Sequence, residues 1–304
     1  MGRHQDAAVA IAGPGRLGQA MGKLLLEAGV PIRFVAARKV ARARNAVRFI
    51  GGGKALSLKD RRLADSGIIL VTTSDAALNP VARQLAGYRK DWSGRVVLHT
   101  CGSAPASILE PFKKRGASIC SVHPYQTIPN PSAGVRNLPG GFWSIEGDKK
   151  AVAVARGWVK ALGGKAFEIP PEAKALYHLS AFLVCPTVVA LMDSSERLLQ
   201  QAGVPRKVIR PMLGRFVTET VRNFTEYGAR KSLTGPAIRG DWGTLERHVD
   251  ELSRFAPAVI PAYIELLNLM LRIAGASPDR RRKARRAISS GLRAGARSHR
   301  STRK

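Results

Sequence analysis

The fold is decided by the stretch AVAIAGPGRLGQAMGKLLLEAGV, residues 8–30. A short apolar run leads into three glycines spaced G-x-G-x-x-G, at Gly13, Gly15 and Gly18, and an amphipathic segment of helical length follows. The first glycine allows a tight turn, the second lets the backbone approach a pyrophosphate, and the third permits close packing of the helix. A glycine turn that binds nothing is the alternative, but a second strand-like run, PIRFVAA (31–37), follows in register. The segment therefore predicts a βαβ unit whose dinucleotide-binding residues are Gly13, Pro14, Gly15, Arg16, Leu17 and Gly18.

Short β-branched runs recur up to about residue 169. They read GIILVTT, RVVLHT, ASICSV, FWSIEG and KAFEIP, and segments of helical length separate them. Continuous apolar strands joined by helices are typical of a parallel sheet covered on both faces. We therefore expect residues 1–169 to form a doubly wound α/β domain with a parallel sheet.

The chain changes character after this point. Between residues 170 and 277 strand-like alternation disappears, and the segments 173–203, 207–228 and 243–275 each have helical composition and end at glycine. The longest uncharged stretch, 175–192, approaches the length of a membrane span, but it contains a histidine, a proline and hydroxyl-bearing residues. We expect an all-helical second domain, with this stretch as a helix buried inside the protein or at a subunit interface and not in a membrane.

The last residues carry much of the positive charge. The chain has 50 Lys and Arg against 21 Asp and Glu, and residues 280–304 contain no acidic residue. Residues 278–304 have too little apolar surface to fold alone, so we expect a disordered, solubilising tail. A tail of this charge could instead hold RNA, DNA or an acidic partner. The arginine richness of the rest of the chain is a general bias and does not predict a binding patch.

The cysteines and the N-terminus indicate a compartment. The three cysteines lack paired spacing, and the apolar run near the N-terminus is short and passes into Gly and Pro. We therefore expect neither a disulfide framework nor a signal peptide, and a cytoplasmic protein.

Two cations follow the second predicted strand. Dinucleotide-binding proteins that take NAD commonly have Asp or Glu there for the ribose hydroxyls, whereas this chain has Arg38 and Lys39. Both side chains can pair with a 2′-phosphate, so NADP is predicted as the cofactor and NAD is less favoured. Two solvated cations at a helix start are the alternative.

Polar loops follow the next three strands, where open α/β sheets place their ligands. The loops read TTSD, HTCGS and HPYQT. Asp75 could equally cap the following helix, and Cys101 is better explained as a small buried thiol than as a nucleophile. The predicted cofactor contacts are Thr73, Ser74, Asp75 and Thr100, and the predicted substrate contacts are Tyr125 and Gln126.

The second domain opens with a possible proton donor. Lys174 and His178 lie four residues apart and therefore on one helix face. His123 is the first residue of the loop HPYQT and directly follows a predicted strand. Reduction of a carbonyl or imine needs a proton donor beside the acceptor atom, and these three residues are the candidates for catalysis. An exposed lysine and a hydrogen-bonded interface histidine are the alternative. The histidines lack metal-ligand spacing and have no nearby carboxylate cluster, so we predict no metal site.

Several motifs together resemble a known group of proteins. GPGRLG, TTSDAAL, HTCGS, HPYQT, AKALYH and SLTGPAIRGDWGTLERHVDEL occur in the order found in Rossmann-like proteins with a C-terminal domain of unknown function, number 2520. These proteins are similar to pyrroline-5-carboxylate reductase, ketopantoate reductase and deazaflavin-dependent NADP oxidoreductases. The resemblance covers about residues 7–275.

The resemblance implies an NADP-binding Rossmann domain and an all-helical domain like that of 6-phosphogluconate dehydrogenase, which serves for the substrate and for homodimerisation. It also implies a loop, 233–242, near the substrate, in which Arg239 and Asp241 orient an acidic substrate or pair with each other. We expect a mixed role and include both among the predicted substrate residues. Pro186 stands where the related proteins have Asn, which predicts a kinked helix and an altered inner pocket.

Two functions from different classes fit these observations. The first is an NADP-dependent oxidoreductase that reduces a small carbonyl or imine compound, anionic if the positive charge extends into an interdomain cleft. The second is a catalytically silent NADP-binding protein with a regulatory or scaffold role, because a fold alone does not establish activity.

Overall fold

The computed structural model describes residues 8–301, and the side chains up to residue 295. Its strands are β1 (Val9–Ala12), β2 (Ile32–Ala37), β3 (Lys54–Ser57), β4 (Ile68–Val71), β5 (Val96–His99), β6 (Ser118–Pro124), β7 (Phe142–Gly147) and β8 (Lys165–Glu168). Its helices are α1 (Arg16–Glu27), α2 (Val40–Ile50), α3 (Asp75–Ala86), α4 (Glu110–Lys113), α5 (Pro131–Asn137), α6 (Lys149–Ala161), α7 (Lys174–Gln201), α8 (Arg206–Ser232), α9 (Pro236–Arg239), α10 (Trp242–Phe255), α11 (Ile260–Ile273) and α12 (Pro278–Ser301).

The strands form one sheet in the order β3-β2-β1-β4-β5-β6-β7-β8. The first six are parallel, which confirms the doubly wound α/β domain, whereas β7 is antiparallel to β6 and β8 runs parallel to β7. The expectation of a wholly parallel sheet is therefore wrong for the last two strands. The reason lies between β6 and β7, where the short helix α5 packs on α1 and provides no crossover along the sheet.

Both faces of the sheet are buried. Val9 and Ile11 of β1 belong to a core with α1, α2 and α6, while Ala10 and Ala12 belong to a core with α3 on the other face. Small and β-branched residues suit strands that are covered on both sides. This packing brings the carboxyl ends of β1, β4, β5 and β6 to one edge of the sheet.

The chain divides into two compact units, residues 1–185 and 186–304. In the second unit α10, α11 and α12 enclose an apolar cluster that includes Leu245, Val249, Leu267 and Leu271. The segment 243–275, expected to be helical throughout, is interrupted between Phe255 and Ile260. Pro257 lacks the N–H that would continue the helix.

Helices α7 and α8 are long and bury little. Lys174 is the buried residue of α7, and Ile209 is that of α8. α7 passes through Pro186 without a break, and it is long and apolar enough to span a membrane by length and composition alone, with no part of that stretch buried within the chain. The expectation that residues 175–192 lie inside the protein is therefore wrong for a single chain.

The basic tail is not disordered over its described part, which corrects the expectation for residues 278–301. These residues form α12, and Ala284, Ala287 and Ile288 are buried against the cluster that α10 and α11 form. The tail contains few apolar residues, but they recur at helical spacing on one face, and their neighbours in the second unit provide the surface that the tail alone lacks. The part of the expectation that concerns residues 302–304 lies outside the described residues.

Candidate active site

The glycine loop lies at the end of β1. Gly13 has a φ of 80°, and its carbonyl accepts a hydrogen bond from Thr72 Oγ1 at 2.8 Å. A Cβ added at Gly13 would collide with Thr73, and one added at Gly18 would collide with Thr72. Gly15 differs, because its added Cβ would make only an ordinary contact with Thr72 O at 3.7 Å. Packing within the chain therefore requires glycine at positions 13 and 18, but not at 15.

The first turn of α1 is open to an anion. Gly15 is the N-cap residue and has no side chain to cap the helix, and the first turn contains no acidic residue. Pro14 O accepts a hydrogen bond from Gln19 Nε2, Leu17 packs on the core, and Arg16 is exposed. Free N–H groups at the start of a helix bind phosphate well. The open position at Gly15 fits the pyrophosphate of a dinucleotide.

Arg38 and Lys39 directly follow β2, the strand beside β1. Both side chains are exposed, and neither has a hydrogen bond or an ion pair with another described residue. Lys39 is the N-cap residue of α2, whose first turn contains no acidic residue. The guanidinium and the ammonium are thus free to pair with a phosphate at this edge of the sheet.

The loops after β4 and β5 are joined. Ser74 is the N-cap residue of α3 but makes no side-chain capping bond, and Asp75 is the first residue inside the helix. Asp75 Oδ2 accepts a hydrogen bond from Ser103 Oγ of the β5 loop at 3.3 Å. Thr100 is buried at the same edge, and Thr73 packs against the glycine loop. Asp75 therefore connects two loops, and the alternative that it caps α3 is wrong.

The end of β6 and the first turn of α7 form a polar cluster. Tyr177 Oη lies 3.0 Å from His123 Nδ1, and the two rings pack edge to face with centroids 5.5 Å apart. Lys174 Nζ donates a hydrogen bond to Ser121 Oγ at 2.8 Å and lies 5.7 Å from the centroid of the Tyr177 ring. Three side chains that differ in acidity thus meet within one small volume.

Burial sets the protonation of this cluster. Lys174 is 1% exposed, and burial lowers its pKa. Burial and then the charge of Lys174 lower the pKa of His123 to about 3, whereas burial raises the pKa of Tyr177. At neutral pH His123 is therefore a neutral imidazole and Tyr177 a phenol.

Gly102 gives the two imidazoles their space. A Cβ added at Gly102 would lie 2.6 Å from His178 Cδ2 and 2.7 Å from His123 Nε2. The rings of His123 and His178 have centroids 6.1 Å apart. A side chain at position 102 would therefore displace both histidines.

The predicted substrate residues differ in their engagement. Tyr125 is exposed, and its hydroxyl lies 3.2 Å from Ser180 Oγ of α7. Gln126 Nε2 donates a hydrogen bond to Asn137 O, so this side chain braces its own loop. Tyr125 is thus beside the polar cluster, while the contacts of Gln126 are structural.

His99 and Cys101 stabilise the β5 loop. His99 is fully buried, its Nδ1 accepts a hydrogen bond from Cys101 N, and its Nε2 lies 3.2 Å from Pro105 O. Burial raises the pKa of the Cys101 thiol, which suits a buried thiol and not a nucleophile. Among the described residues no three His, Cys, Asp or Glu side chains form a group that could hold a metal ion.

Arg239 and Asp241 pair with each other in the second unit. Arg239 Nη2 lies 2.8 Å from Asp241 Oδ2, and Arg239 Nε donates to the same oxygen at 2.9 Å. Of the two alternatives for this loop, the structure has the internal ion pair.

Sequence reasoning missed Tyr177, Ser121 and Gly102. Tyr177 follows Lys174 by three residues and precedes His178, so the helical spacing that selected the lysine and the histidine also selects the tyrosine. Gly102 and Ser121 carried no comparable signal, because their importance depends on which side chains the fold brings beside them.

Two family models match consecutive parts of the chain. A Rossmann-like domain model matches residues 3–124, and the domain of unknown function DUF2520 matches residues 142–269. The second match begins at the first residue of β7. It therefore includes the last two strands as well as helices.

Solved structures share the fold. A Thermotoga maritima protein has a TM-score of 0.66 and 24% identity, and a putative NADP oxidoreductase from Bacteroides fragilis has a TM-score of 0.72 and 21% identity; each match covers 88% of this chain and 98% of the other. Pyrroline carboxylate reductase from Plasmodium falciparum, solved with NADP bound, has a TM-score of 0.58 and 13% identity, with 94% and 99% covered. The comparison with curated proteins gives no match. With both of its parts matched in this order, the chain belongs to the proteins in which a Rossmann-like domain precedes a DUF2520 domain.

Proposed function

We propose that the protein is an NADP-dependent reductase of a small carbonyl or imine compound, and that Tyr177 donates the proton. The observation that carries this proposal is the Tyr177 hydroxyl, held 3.0 Å from His123 Nδ1 at the sheet edge that also carries the glycine loop. β1 and β6 are separated by three strand spacings, about 14 Å. A dinucleotide with its pyrophosphate beside Gly15 would extend along this edge toward the end of β6.

The cofactor would be held by residues of four strand ends. Gly15 and the N–H groups of α1 would bind the pyrophosphate, and Arg38 and Lys39 would bind the 2′-phosphate. Thr73, Ser74, Asp75 and Thr100 would border the ribose and nicotinamide. When bound, NADPH would supply a hydride to the substrate carbon.

Tyr177 would supply the matching proton. In the structure the Tyr177 hydroxyl donates to His123 O at 3.4 Å. In the tautomer that carries its proton on Nδ1, neutral His123 would donate to Tyr177 Oη, and the phenol proton would turn from this long bond to the oxygen or nitrogen of the substrate. The charge of Lys174, 5.7 Å from the ring centroid, would stabilise the tyrosinate that forms. Lys174 is thus a positioning residue in this proposal, since its burial keeps it away from a substrate.

The substrate would lie beside Tyr125 and His178. Both side chains adjoin the His123 and Tyr177 pair, whereas Gln126 is held by its own loop. Pyrroline carboxylate reductase, a fold neighbour, is named for a compound with a ring C=N bond, which favours an imine. An anionic group on the substrate would suit the positive net charge of the chain.

The choice of NADP is tested with Arg38→Asp. Loss of a charge-assisted bond to the 2′-phosphate, and repulsion from the new carboxylate, should weaken NADPH binding by about 10- to 100-fold and leave NADH binding little changed. Arg44→Asp, at an exposed position of the following helix α2, is the control for the charge change. Equal affinity of the Arg38→Asp and wild-type proteins for NADPH in titration calorimetry would remove this assignment.

The silent NADP-binding protein is the alternative function. Two measurements distinguish these functions. The first is the equilibrium binding of NADPH, and the second is the loss of NADPH absorbance during incubation with a panel of keto acids, cyclic imines and a deazaflavin. The reductase proposal requires oxidation of NADPH with at least one carbonyl or imine. Tight binding with no turnover across the panel would favour the silent protein, and no binding at all would contradict both functions.

We also propose that two copies of the chain pair through α7 and α8. In the second unit Phe216, Phe224 and Tyr227 of α8 are more than half exposed, as is Val189 of α7. α8 is long, carries several exposed apolar side chains and has one buried residue, Ile209. Such a helix face indicates a partner that covers it. We propose a second copy of the chain as that partner. A membrane would not accept Arg215 and Arg222, which lie among the apolar side chains of α8.

A further inference from the structure

We propose that the exposed face of α12 binds the phosphate backbone of double-stranded nucleic acid. The residues of this cationic face are Arg282, Lys283, Arg285, Arg286 and Arg293, all exposed. This activity is independent of the proposed reductase, because it uses a different helix and requires no cofactor.

The cationic face is held rigidly by the opposite face of the same helix. Ala284, Ala287 and Ile288 are buried, and Gly291 lets the helix approach α10 so closely that an added Cβ would lie 2.5 Å from Glu246 O. Docking through small side chains fixes the rotation of α12 about its axis. The arginines on the other face therefore point away from the second unit and do not depend on a disordered segment.

The spacing of the arginines makes one stripe. At 100° per residue, Arg282, Arg286 and Arg293 lie within about 40° of each other around the helix and span about 16 Å along it. This length matches two to three phosphates along one strand of a duplex, which lie about 7 Å apart in space. A straight cationic stripe suits a regular polyanion better than a single small anion.

Three of these cations have no partner in the described part of the chain. Asp279, the acidic residue of α12, pairs with Arg282 and Lys283. Arg285, Arg286 and Arg293 make no hydrogen bond or ion pair with another described residue. Their planar guanidinium groups can each hold a phosphate through two bonds.

Two other arginines of α12 hold the helix in place. Arg280 donates to Ala237 O and Ile238 O, and Arg281 donates to Ala276 O. These two residues join α12 to the rest of the second unit. Arg280 and Arg281 thus have partners outside α12, whereas the side chains of Arg285, Arg286 and Arg293 have none among the described residues. This difference separates the residues that hold the helix from those that are available for a ligand.

The composition of the helix favours a duplex over a membrane or a single strand. A helix that binds a membrane surface needs a free apolar face, but the apolar face of α12 is buried. Residues 278–298 contain no Phe, Trp, Tyr or His, so this part of the helix lacks the rings that stack on unpaired bases. Binding to the backbone of a duplex uses the arginines alone.

The test measures binding of the full-length protein to a labelled 25-base-pair DNA duplex by fluorescence anisotropy at two or more salt concentrations. The Arg286→Glu, Arg293→Glu double variant should lose about 10- to 100-fold in affinity, and the slope of log affinity against log salt should decrease by about two. The Lys90→Glu, Arg115→Glu double variant is the control, because it changes net charge equally at two exposed positions of the first unit. Its affinity should stay close to wild type.

Three outcomes would overturn the proposal. Equal loss in the two double variants would assign the binding to overall charge, and no duplex binding by the wild type would leave nothing to assign. Binding of the wild type to phosphatidylserine vesicles but not to the duplex would identify a membrane surface as the ligand instead. Circular dichroism and the melting temperature of each variant serve to confirm that the chain is folded.

Discussion

At the scale of the residue, the proposed chemistry depends on one hydroxyl group. Tyr177→Phe keeps the ring that packs on His123 and removes the proton that the substrate would receive. We expect kcat to fall by about 100-fold or more, because general acid catalysis contributes on that order. The affinity for NADPH should stay within about twofold, and stopped-flow or steady-state absorbance of NADPH with the best substrate of the panel measures both.

A second histidine and tyrosine pair provides the matched control. Tyr263 Oη lies 3.1 Å from His248 Nδ1 in the second unit, so Tyr263→Phe removes the same kind of hydrogen bond. This variant should keep its kcat. A similar loss of kcat in the two variants would mean that Tyr177 acts through stability and not as a proton donor.

His99 gives the fold a dependence on pH. Burial, and next the charge of Lys174, lower the pKa of His99 to about 4, while the same group in the unfolded chain titrates near 6.5. Between these values the unfolded chain binds more protons at His99 than the folded chain does. The free energy of unfolding therefore falls as pH falls from about 6.5 to 4, by at most about 1.4 kcal/mol per pH unit, and this residue has no effect on the pH dependence above that range.

His99→Gln isolates this contribution. Glutamine does not titrate, yet it offers an acceptor for Cys101 N and a donor for Pro105 O. We expect the variant to be less stable than wild type at pH 7.5 and the difference in melting temperature to shrink at pH 5. A difference that stays constant between these pH values would contradict the assignment.

At the scale of the element, α12 depends on glycine where it meets α10. Alanine normally stabilises an exposed helix by about 0.5–1 kcal/mol relative to glycine. At Gly291 the added methyl group would lie 2.5 Å from the backbone oxygen of Glu246, so α12 would have to move away from α10. We expect Gly291→Ala to lower the melting temperature of the second unit.

Gly157→Ala in α6 tests the same substitution without the contact. Nothing lies within 4 Å of the added Cβ at this exposed position, so the helix should be unchanged or slightly more stable. Differential scanning calorimetry compares the two variants. A Gly291→Ala protein as stable as Gly157→Ala would show that α10 and α12 are not closely packed.

The elements also show why sequence patterns succeed in one place and fail in another. The glycine spacing around Gly13 specifies β1, the loop and α1 because all of its information is local, and five of the six parallel strands follow from apolar runs of the same local kind. The exception is β3, whose sequence KALS has one buried residue and no continuous apolar run. The direction of β7 is not local, since it depends on α5 packing against α1. α12 was misjudged for a related reason: its few apolar residues are enough only because α10 and α11 complete the core.

At the scale of the whole molecule, the same distinction divides the candidate site. Helical spacing alone puts Lys174, Tyr177 and His178 on one face of α7. The sequence does not say which of the three side chains is buried. The 1% exposure of Lys174 results from β6, β7 and α7 meeting around Ser121, and for this reason the proposed mechanism uses the lysine as a positioning residue and not as the proton donor. Protonation depends on burial, which is a property of the assembled fold.

The assembly of two chains depends on one face of α8. Helical spacing puts Phe216, Phe224 and Tyr227 on this face, and all three are exposed in the single chain. The buried Ile209 lies on the same face. We expect the wild type to have about twice the 32.7 kDa mass of one chain in light scattering after size exclusion, and the Phe216→Asp, Phe224→Asp variant to have the mass of one chain. The Thr218→Asp, Thr225→Asp variant places the same charges on the opposite face of α8 and should keep the mass of a dimer. A wild type that is monomeric at micromolar concentration, or that floats with phosphatidylcholine vesicles, would mean that another partner covers these side chains. Because dimerisation requires the apolar face of α8 and not the helix as such, only the substitutions at the phenylalanine positions should lower the measured mass.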